Sequence, residues 1–301
     1  MPMSSQPVSE FRAGHVALIG RPNVGKSSLL NPFVGAHLVA VSAKPHTTRQ
    51  AILGVRSFDE GQLAFVDTPG LVSRRQNALQ RSMGQSLDQA VDQVDLLVQV
   101  IEAGRWTEAD RAVLARAKAT GKPIALLINK VDLQTDKAAL LPFIEKLRHE
   151  HDFVAVLLTS VKRRSGIESA MHELIKLLPV QEALYADDTL TDRSERFLAA
   201  ELIREQLMRQ IGQEVPYACA VEIESFVLDG ALRRIAAVIW VERDGQKAII
   251  IGEGGQRLKD IGRLSRIEME RLFDGKVFLE LWVKVRADWT DDARMLKQLG
   301  Y

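Results

Sequence analysis

Between residues 13 and 180, short apolar runs alternate with longer stretches in which apolar residues recur every three or four positions. The runs have the length of buried strands, and the longer stretches have the period of amphipathic helices. Such alternation predicts an α/β domain with a mainly parallel sheet and helices on both faces. Ligands of these domains bind in the loops after the carboxyl ends of the strands. The predicted strands are His15–Ile19, Ala51–Phe58, Gln62–Asp67, Asp95–Ile101, Pro123–Asn129 and Phe153–Thr159. The predicted helices are Lys26–Val34, Asn77–Val91, Glu108–Ala119, Leu140–His149 and Ile167–Leu178.

The pattern changes after Pro179. Residues 181–192 are acidic and weakly periodic, so we interpret them as a linker, and we interpret residues 1–12 as a flexible N-terminus. Residues 193–301 predict a second domain of the α+β class, with Asp192 as the N-cap of its first helix. Its predicted elements are a helix over Arg193–Ile211, strands over Ala218–Leu228 and Leu232–Glu242, a helix over Gln256–Phe273 and a strand over Lys276–Arg286.

Composition narrows the class of protein. Of the 301 residues, 46% are hydrophobic and 26% are charged, which excludes a mainly disordered or collagen-like chain. The longest apolar runs, such as Ile124–Ile128, are far shorter than the roughly 20 residues that span a bilayer. A single cysteine, Cys219, excludes an internal disulfide and favours a reducing cytoplasm. The net charge of +1 gives no indication of a nucleic-acid partner, so any basic surface must be local.

The loop after the first predicted strand carries GRPNVGKS, which fits the phosphate-binding pattern GxxxxGK[ST] between a strand and a helix. Glycines let backbone N–H groups surround phosphate oxygens, and the helix N-terminus adds partial positive charge. Lys26 is the predicted contact to the β- and γ-phosphates, and Ser27 is a predicted Mg²⁺ ligand. The predicted contacts of this loop are Gly20, Arg21, Pro22, Asn23, Val24, Gly25, Lys26, Ser27 and Ser28.

The base is predicted to bind at the string NKVD, which follows the apolar strand that ends at Asn129. The carboxylate of Asp132 can accept hydrogen bonds from N1–H and the exocyclic amino group of guanine, whereas adenine lacks this donor pair, so GTP is favoured over ATP. Lys130 can lie along the base while Asn129 braces the loops. The predicted contacts on this side are Asn129, Lys130, Val131, Asp132, Thr159, Ser160 and Val161.

A third motif, DTPG, closes the strand Gln62–Asp67. Asp67 is predicted to hold Mg²⁺ through water, and the Gly70 amide to meet the γ-phosphate, so that the next segment relaxes when that phosphate leaves. Thr48 is the predicted third Mg²⁺ ligand, with Thr47 as the alternative. Three motifs in this order predict a GTP-binding domain with Mg²⁺ as cofactor. The predicted catalytic residues are Lys26, Thr48, Asp67 and Gly70, and the DTPG-side nucleotide contacts are Asp67, Thr68, Pro69, Gly70 and Leu71.

Together with strings outside these motifs, the chain resembles Era-type GTPases almost from end to end. The similarity is carried by GRPNVGKSS, KPHTTR, DTPGL, NKVD, TDRSERFLAAELIRE, VERDGQKAIIIGEGG and LWVKVRADW. The resemblance implies an α/β P-loop GTPase domain over 13–180 followed by an α+β type II KH domain over 193–301. It also implies binding near the 3′ end of 16S ribosomal RNA, assistance to maturation of the small (30S) subunit, and peripheral membrane association. We expect a cytoplasmic monomer.

In the KH interpretation, the GxxG loop runs from Gly252 to Gly255 and lets the RNA backbone approach closely. The alternative is a simple strand-to-helix turn. Between Arg233 and Arg271 the chain carries nine basic residues against six acidic ones, which mildly supports RNA binding. Glu253 departs from the family, which has a basic residue in this loop. The predicted RNA contacts are Lys247, Ile251, Gly252, Glu253, Gly254, Gly255, Gln256, Arg257 and Lys259.

Leu71 follows the DTPG glycine, where Ras-like proteins carry a glutamine that orients water, so we predict slow intrinsic hydrolysis. Two roles stay open for Asn23: coordination of K⁺ beside the phosphates, or stiffening of the loop. Pro32 is predicted to bend the helix after the loop. The leading hypothesis is an RNA chaperone switched by GTP. The alternatives are a scaffold that merely holds nucleotide, and a tRNA-modification GTPase, whose C-terminal cysteine this chain lacks.

Overall fold

A computed structural model describes residues 10–42, 49–68, 78–134, 136, 138–212 and 219–299, with the side chains of 86 and 87 left out. The chain divides into two compact units, each containing several stretches of sequence. The N-terminal unit contains the described residues of 1–35, 52–68 and 89–192. The C-terminal unit contains those of 36–51, 69–88 and 193–301.

The N-terminal unit is built on a six-stranded sheet in the order β2-β3-β1-β4-β5-β6. All neighbouring strands are parallel except β2 and β3, which form an antiparallel pair. The central strand β1 is almost wholly buried, so that its end delivers the following loop to the middle of the sheet edge. The strands are β1 Arg12–Ile19, β2 Ile52–Phe58, β3 Gly61–Asp67, β4 Leu96–Glu102, β5 Ile124–Asn129 and β6 Val156–Leu158.

Helices connect the parallel strands, as the alternating pattern predicts, and the α/β fold class is confirmed. Right-handed crossovers between parallel strands place such helices on both faces of the sheet. Helix α3 begins at a capping box in which the Thr107 hydroxyl and the Asp110 carboxylate bond each other's backbone N–H. These helices are α1 Lys26–Val34, α3 Glu108–Lys118, α4 Leu140–Arg148 and α5 Ile167–Lys176. Helix α2 Ala78–Asp92 also lies between β3 and β4 in the sequence, but its residues 78–88 belong to the C-terminal unit.

The predicted linker packs against the N-terminal unit along part of its length. The buried side chain of Gln62 accepts hydrogen bonds from the backbone N–H groups of Leu184 and Tyr185 at 2.8 and 2.9 Å. Further along, Val55 N–H donates to Leu190 O (2.9 Å). Since these contacts occupy strand β2 and its neighbour β3, residues up to 192 belong to the N-terminal unit.

The C-terminal unit contains a three-stranded sheet in the order β7-β8-β9, with β7 antiparallel and β9 parallel to β8. Residues 202–208 of its long helix α6 are all buried, so this helix is enclosed on every side rather than along one stripe. The elements of this unit beyond residue 192 are α6 Glu195–Gln210, β7 Cys219–Asp229, β8 Leu232–Val241, α7 Asp244–Ile251, α8 Gln256–Leu272, β9 Lys276–Val285 and α9 Ala293–Gln298.

One prediction about local structure was wrong, and two helices were not predicted. The pattern gave no helix at Asp244–Ile251 or Ala293–Gln298, because both are short and the apolar residues of the first lie in a run rather than at helical spacing. The N-cap of α6 is Ser194, whose hydroxyl accepts from Phe197 N–H, and not Asp192. Within the described residues, none of the helices is long and apolar enough to cross a bilayer.

Candidate functional site

The loop between β1 and α1 requires glycine at its last position. Gly25 has a φ of 103°, a conformation that L side chains rarely adopt. A Cβ on Gly25 would lie only 2.4 Å from Nδ2 of Asn129. That amide in turn donates to Val24 O at 3.0 Å, so the predicted phosphate loop and the predicted base loop are joined directly.

Lys26, the first residue of α1, is only 7% exposed. Its ammonium donates to two carbonyls of the loop, Gly20 O at 2.9 Å and Arg21 O at 3.3 Å. Burial lowers its pKa to about 8; nearby Asp67 acts in the opposite direction, and Arg21 adds to the lowering. Both of these partners of the buried ammonium are neutral carbonyls. Phosphate oxygens would form stronger, charge-assisted hydrogen bonds with it, so an anionic ligand is stabilised at this position.

Two of the predicted Mg²⁺ ligands lie side by side. Ser27 Oγ donates to Oδ2 of Asp67 at 2.8 Å, and Asp67 ends β3 with its side chain fully buried. A hydroxyl and a carboxylate are oxygen donors of the kind that Mg²⁺ prefers, usually together with water and substrate phosphates. Within the described ranges, no group of three or more His, Cys, Asp or Glu could hold a metal by itself. The hydroxyl of Ser27 and the carboxylate of Asp67 fit an ion whose remaining ligands are water and phosphate oxygens.

Part of the predicted site falls outside the described residues, namely Thr48 (with its alternative Thr47), Pro69, Gly70 and Leu71. Thr68 is described, and its hydroxyl donates to Leu18 O at 2.8 Å in the buried interior. This side chain therefore joins the ends of β1 and β3 rather than pointing to a ligand.

Asp132, the residue predicted to select guanine, is held by a serine from the neighbouring loop. Ser160 Oγ donates to Asp132 Oδ1 at 2.5 Å. This hydrogen bond lowers the pKa of the Asp132 carboxyl, and the charges of Lys162 and Arg163 lower it further. An ionised carboxylate accepts hydrogen bonds only, which is the property needed to bind the two donors of guanine.

The residues around Asp132 fix the loop that carries it. Lys130 adopts a φ of 61°, and its ammonium donates to Asn23 O (2.8 Å) and to Oε2 of Glu102 (2.7 Å). The same contact with Lys130 lowers the pKa of Glu102. The sequence analysis did not identify Glu102. It lies at the end of β4, opposite Asn129 at the end of β5, and this position next to the base loop could have indicated it.

A cleft of about 320 Å³ joins the phosphate loop to the base loop, a volume within the usual range for small-molecule sites. Leu133 is a lining residue that the sequence analysis did not single out, and its 58% exposed side chain supplies an apolar wall. The cleft is lined by Gly25, Ser28, Asn129, Lys130, Asp132, Leu133, Val161 and Lys162.

Other predicted contacts of the phosphate loop have structural roles in the described residues. The Arg21 guanidinium lies 3.2 Å from the buried carboxylate of Asp110 in the α3 capping box. Asn23 is exposed and has a φ of 67°, a left-handed conformation in which asparagine is enriched. Pro32 lies inside α1 without shortening it, and Gly35 ends that helix by donating to Asn31 O at 2.8 Å.

The glycine-rich loop of the C-terminal unit lies between α7 and α8, not between a strand and a helix as the simple-turn alternative assumed. Gly254 and Gly255 have φ values of 57° and 77°, and an added Cβ at either would meet nothing within 4 Å. Glu253 is exposed beside them. The loop therefore presents bare backbone to open space, as the close approach of an RNA backbone requires.

The remaining predicted RNA contacts surround this loop with different exposures. The Arg257 guanidinium donates to Ile249 O and so closes the end of α7, while Gln256 donates to Asp260 at 3.2 Å. Lys259 is exposed, whereas Lys247 and Ile251 are half-buried. Their assignment to RNA stays a prediction.

Comparison with known proteins gives the same two-part organisation. Residues 15–130 match a family model described as 50S ribosome-binding GTPase, and residues 214–290 match the KH domain.

Two solved structures align with nearly the whole of this chain and of their own chains. An Era in complex with MgGDPNP and nucleotides 1506–1542 of 16S ribosomal RNA has a TM-score of 0.93 at 34% identity over 97% of this chain and 99% of that one. A single-substitution variant of Aquifex aeolicus Era bound to GDP.AlF4⁻ has a TM-score of 0.92 at 35% identity, covering 96% and 99%.

Among curated proteins, the GTPase Era of Xanthomonas campestris pv. campestris (strain B100) is 54% identical over 293 residues, which cover 97% of this chain and 98% of that protein. The GTPase Era of Stenotrophomonas maltophilia (strain K279a) is 52% identical over 299 residues, covering 99% and 100%. Identity at this level, across both units, extends the match beyond a shared P-loop domain. This chain belongs to the Era family of GTPases.

Proposed function

We propose that binding and hydrolysis of GTP in the cleft of the N-terminal unit control the attachment of the KH domain to the 3′ region of 16S rRNA during assembly of the 30S subunit. The observation that carries the nucleotide half is the cleft itself, where the buried ammonium of Lys26 and the serine-held carboxylate of Asp132 belong to loops joined by Asn129. A triphosphate at one end and guanine at the other satisfy both groups.

At the phosphate end, the N–H groups of the loop and the Lys26 ammonium hold the β- and γ-phosphates, and they stabilise charge that develops as the γ-phosphoryl group transfers to water. Ser27 and Asp67 hold Mg²⁺, with Thr48 as the proposed third protein ligand. When bound, this ion would neutralise part of the charge on the phosphates. We assign Gly70 to the γ-phosphate, on its place in DTPG.

At the base end, Asp132 accepts two hydrogen bonds from guanine, while Lys130 and Val161 flank the base. The bond from Ser160 orients the carboxylate and lowers its pKa, so it favours the ionised form that accepts hydrogen bonds. Adenine at the same position would offer this carboxylate no matching donor pair, so the two hydrogen bonds that guanine donates would not form. The site therefore discriminates strongly for GTP.

Intrinsic hydrolysis is proposed to be slow, because the side chain of Leu71 cannot orient a water molecule. For Asn23, the left-handed φ of 67° supports the loop-stiffening role. Coordination of K⁺ stays a second proposal, which potassium dependence of the hydrolysis rate would test. Cytoplasmic location, monomeric state and peripheral membrane attachment stay predictions from the family resemblance.

The RNA half of the proposal is supported by the open glycine backbone at Gly254 and Gly255 and by the solved Era complex with 16S nucleotides 1506–1542. The test is the affinity for an RNA of that sequence with a nonhydrolysable GTP analogue, with GDP and without nucleotide, at two salt concentrations. We expect tighter binding with the analogue. Equal affinities in all three states contradict GTP control, and weak binding in every state contradicts recognition of this RNA by the isolated protein.

A further inference from the structure

The connection between α1 and β2 ends at residues 49–51, where Arg49 is buried within the C-terminal unit. Arg49 comes directly after Thr48, the predicted Mg²⁺ ligand, yet its side chain is only 4% exposed. Its Nη1 donates to Cys219 O, at the start of β7, at 2.8 Å. The guanidinium carbon also lies 6.0 Å from the ring centroid of the fully buried Trp289. A buried guanidinium is held firmly in place, because moving it breaks polar contacts that water cannot replace.

The near end of the same connection is fixed as well. His37 lies between two carboxylates: its Nε2 is 2.9 Å from Glu205 on α6, and its Nδ1 is 3.5 Å from Glu268 on α8. Val41 N–H donates to the same fully buried Glu205 at 3.1 Å. Glu268 lies on the helix that begins directly after the glycine-rich loop at Gly255.

The start of α2, which follows the DTPG motif in the chain, reaches the same hydrophobic cluster. Leu79 and Met83 pack in a buried cluster with Trp289. Ala78 N–H donates to Oδ1 of Asp291 at 2.9 Å, two residues beyond that tryptophan. Trp289 therefore packs with described residues next to both predicted ligand segments: Arg49, which follows the predicted Mg²⁺ ligand Thr48, and Leu79 with Met83, which follow the DTPG motif.

We propose that Arg49 is a positioning residue that couples the nucleotide state to the RNA-binding unit. GTP favours the arrangement in which the preceding residue joins the metal and the γ-phosphate. Because the Arg49 side chain is fixed to β7 and Trp289, that preference biases the conformation of the C-terminal unit. The coupling is reciprocal, so RNA favours GTP by the same factor. This inference rests on the proposed function and adds the residue through which control passes.

The test compares Arg49→Met, which keeps length and apolar contact but loses the charge and the donor, with the wild-type protein. The measured quantity is the ratio of affinities for the 16S RNA of nucleotides 1506–1542 with GTP analogue and with GDP. Coupling of this type is typically 5- to 150-fold. We expect Arg49→Met to bring the ratio within about twofold of one, while GTP affinity without RNA changes by less than about threefold.

The matched control is Arg233→Met. Arg233 is also a largely buried arginine of the C-terminal unit, paired with Glu195 at 2.7 Å and 5.4 Å from the ring centroid of Phe273, but its described partners all lie beyond residue 192. This variant should keep the wild-type ratio. An unchanged ratio in Arg49→Met, or an equal loss in both variants, overturns the inference.

Two further measurements separate the inference from other failures. A wild-type ratio of one contradicts the proposed function itself, before any variant is considered. Should Arg49→Met lower the thermal midpoint enough to prevent measurement, Arg49→Lys keeps the charge and loses the planar guanidinium. For Arg49→Lys we expect an affinity ratio that is above one and below the wild-type ratio. The full wild-type ratio in this variant contradicts a role for the guanidinium.

Discussion

The nucleotide cleft and the glycine-rich loop of the KH domain, the two proposed ligand sites, differ in whether their polar groups already have partners before a ligand binds. In the cleft, polar side chains are already bonded to one another or to backbone: Ser27 to Asp67, Ser160 to Asp132, and Lys26 to loop carbonyls. In the KH loop, Gly254 and Gly255 offer backbone with open space around it. A ligand of the cleft must replace bonds atom for atom, which gives specificity. A ligand of the KH loop has only to approach, so charge and steric access decide its affinity.

Adding one methyl group to a glycine of each loop tests this difference between the two sites most directly. We expect Gly25→Ala to lower GTP affinity roughly 30- to 700-fold, since strain at its φ of 103° costs about 1–3 kcal/mol and the displaced Asn129 bond about 1 kcal/mol more. Nucleotide titration by calorimetry measures this change.

The matched control is Gly254→Ala, at a left-handed glycine whose added Cβ meets nothing within 4 Å. It should leave GTP affinity unchanged and lower RNA affinity by a few fold. Equal loss of GTP affinity in both variants would show that the phosphate loop does not depend on the close approach of Asn129.

The second prediction concerns the hydrogen bonds between Asp132 and the guanine base. Asp132→Asn should weaken GTP binding roughly 10- to 100-fold, because a hydrogen bond to a charged group contributes about 1.5–3 kcal/mol. Xanthosine triphosphate has a carbonyl where guanine has the exocyclic amino group, so the new amide can donate to it. We expect this nucleotide to bind the variant better than GTP does. A variant that still prefers GTP would contradict the assignment of Asp132 to the base.

The third prediction concerns charge in the KH loop. Glu253→Lys should raise RNA affinity roughly 30-fold, since it replaces a repulsion by an attraction and two unit charges 4 Å apart in water interact by about 1 kcal/mol. The dependence of log affinity on log salt should steepen by about 0.7 for one new phosphate contact to single-stranded RNA. Glu253→Gln, which only removes the negative charge, should give a smaller rise and an unchanged slope. Loss of affinity in Glu253→Lys would place the RNA elsewhere.

The smallest effect belongs to a cluster outside both loops. The contact with Glu205 raises the pKa of His37, and Glu268 contributes in the same direction; Arg209 and Arg271 in turn pair with these two carboxylates. Because the folded pKa is the higher one, the protonated His37 contributes its full stabilisation below about pH 6.5, the ordinary histidine value. That contribution is lost as pH rises through the folded pKa.

Urea denaturation of the wild type and of His37→Gln at pH 6 and at pH 8.5 measures this dependence. The difference in unfolding free energy between the two proteins should be larger at the lower pH. A difference that grows with pH would contradict a cationic His37 between two carboxylates.

Sequence reasoning was most reliable where a motif combines with strand and helix periodicity. The helix Lys26–Val34 has the predicted bounds, and the strand ends at Asp67 and Asn129 agree with the predicted ones, because a buried strand followed by a ligand loop leaves a clear local pattern. Glu102 was missed, since its role depends on the pairing of β4 with β5, which no local pattern reveals. The partners of Arg49 were missed for the same reason: Cys219 and Trp289 are distant in sequence and carry no motif.

The packing of α2 against Trp289 has a consequence for the modularity of this protein. Leu79 and Met83 contribute to the same buried cluster as Trp289 and Met295, although more than one hundred residues of the other unit separate them in the chain. A fragment cut at the predicted linker would keep the RNA loop yet lack these side chains, and would leave a tryptophan and its apolar neighbours facing water. The KH domain of this chain is therefore a poor candidate for transplantation by gene fusion, and an isolated 193–301 fragment is expected to self-associate.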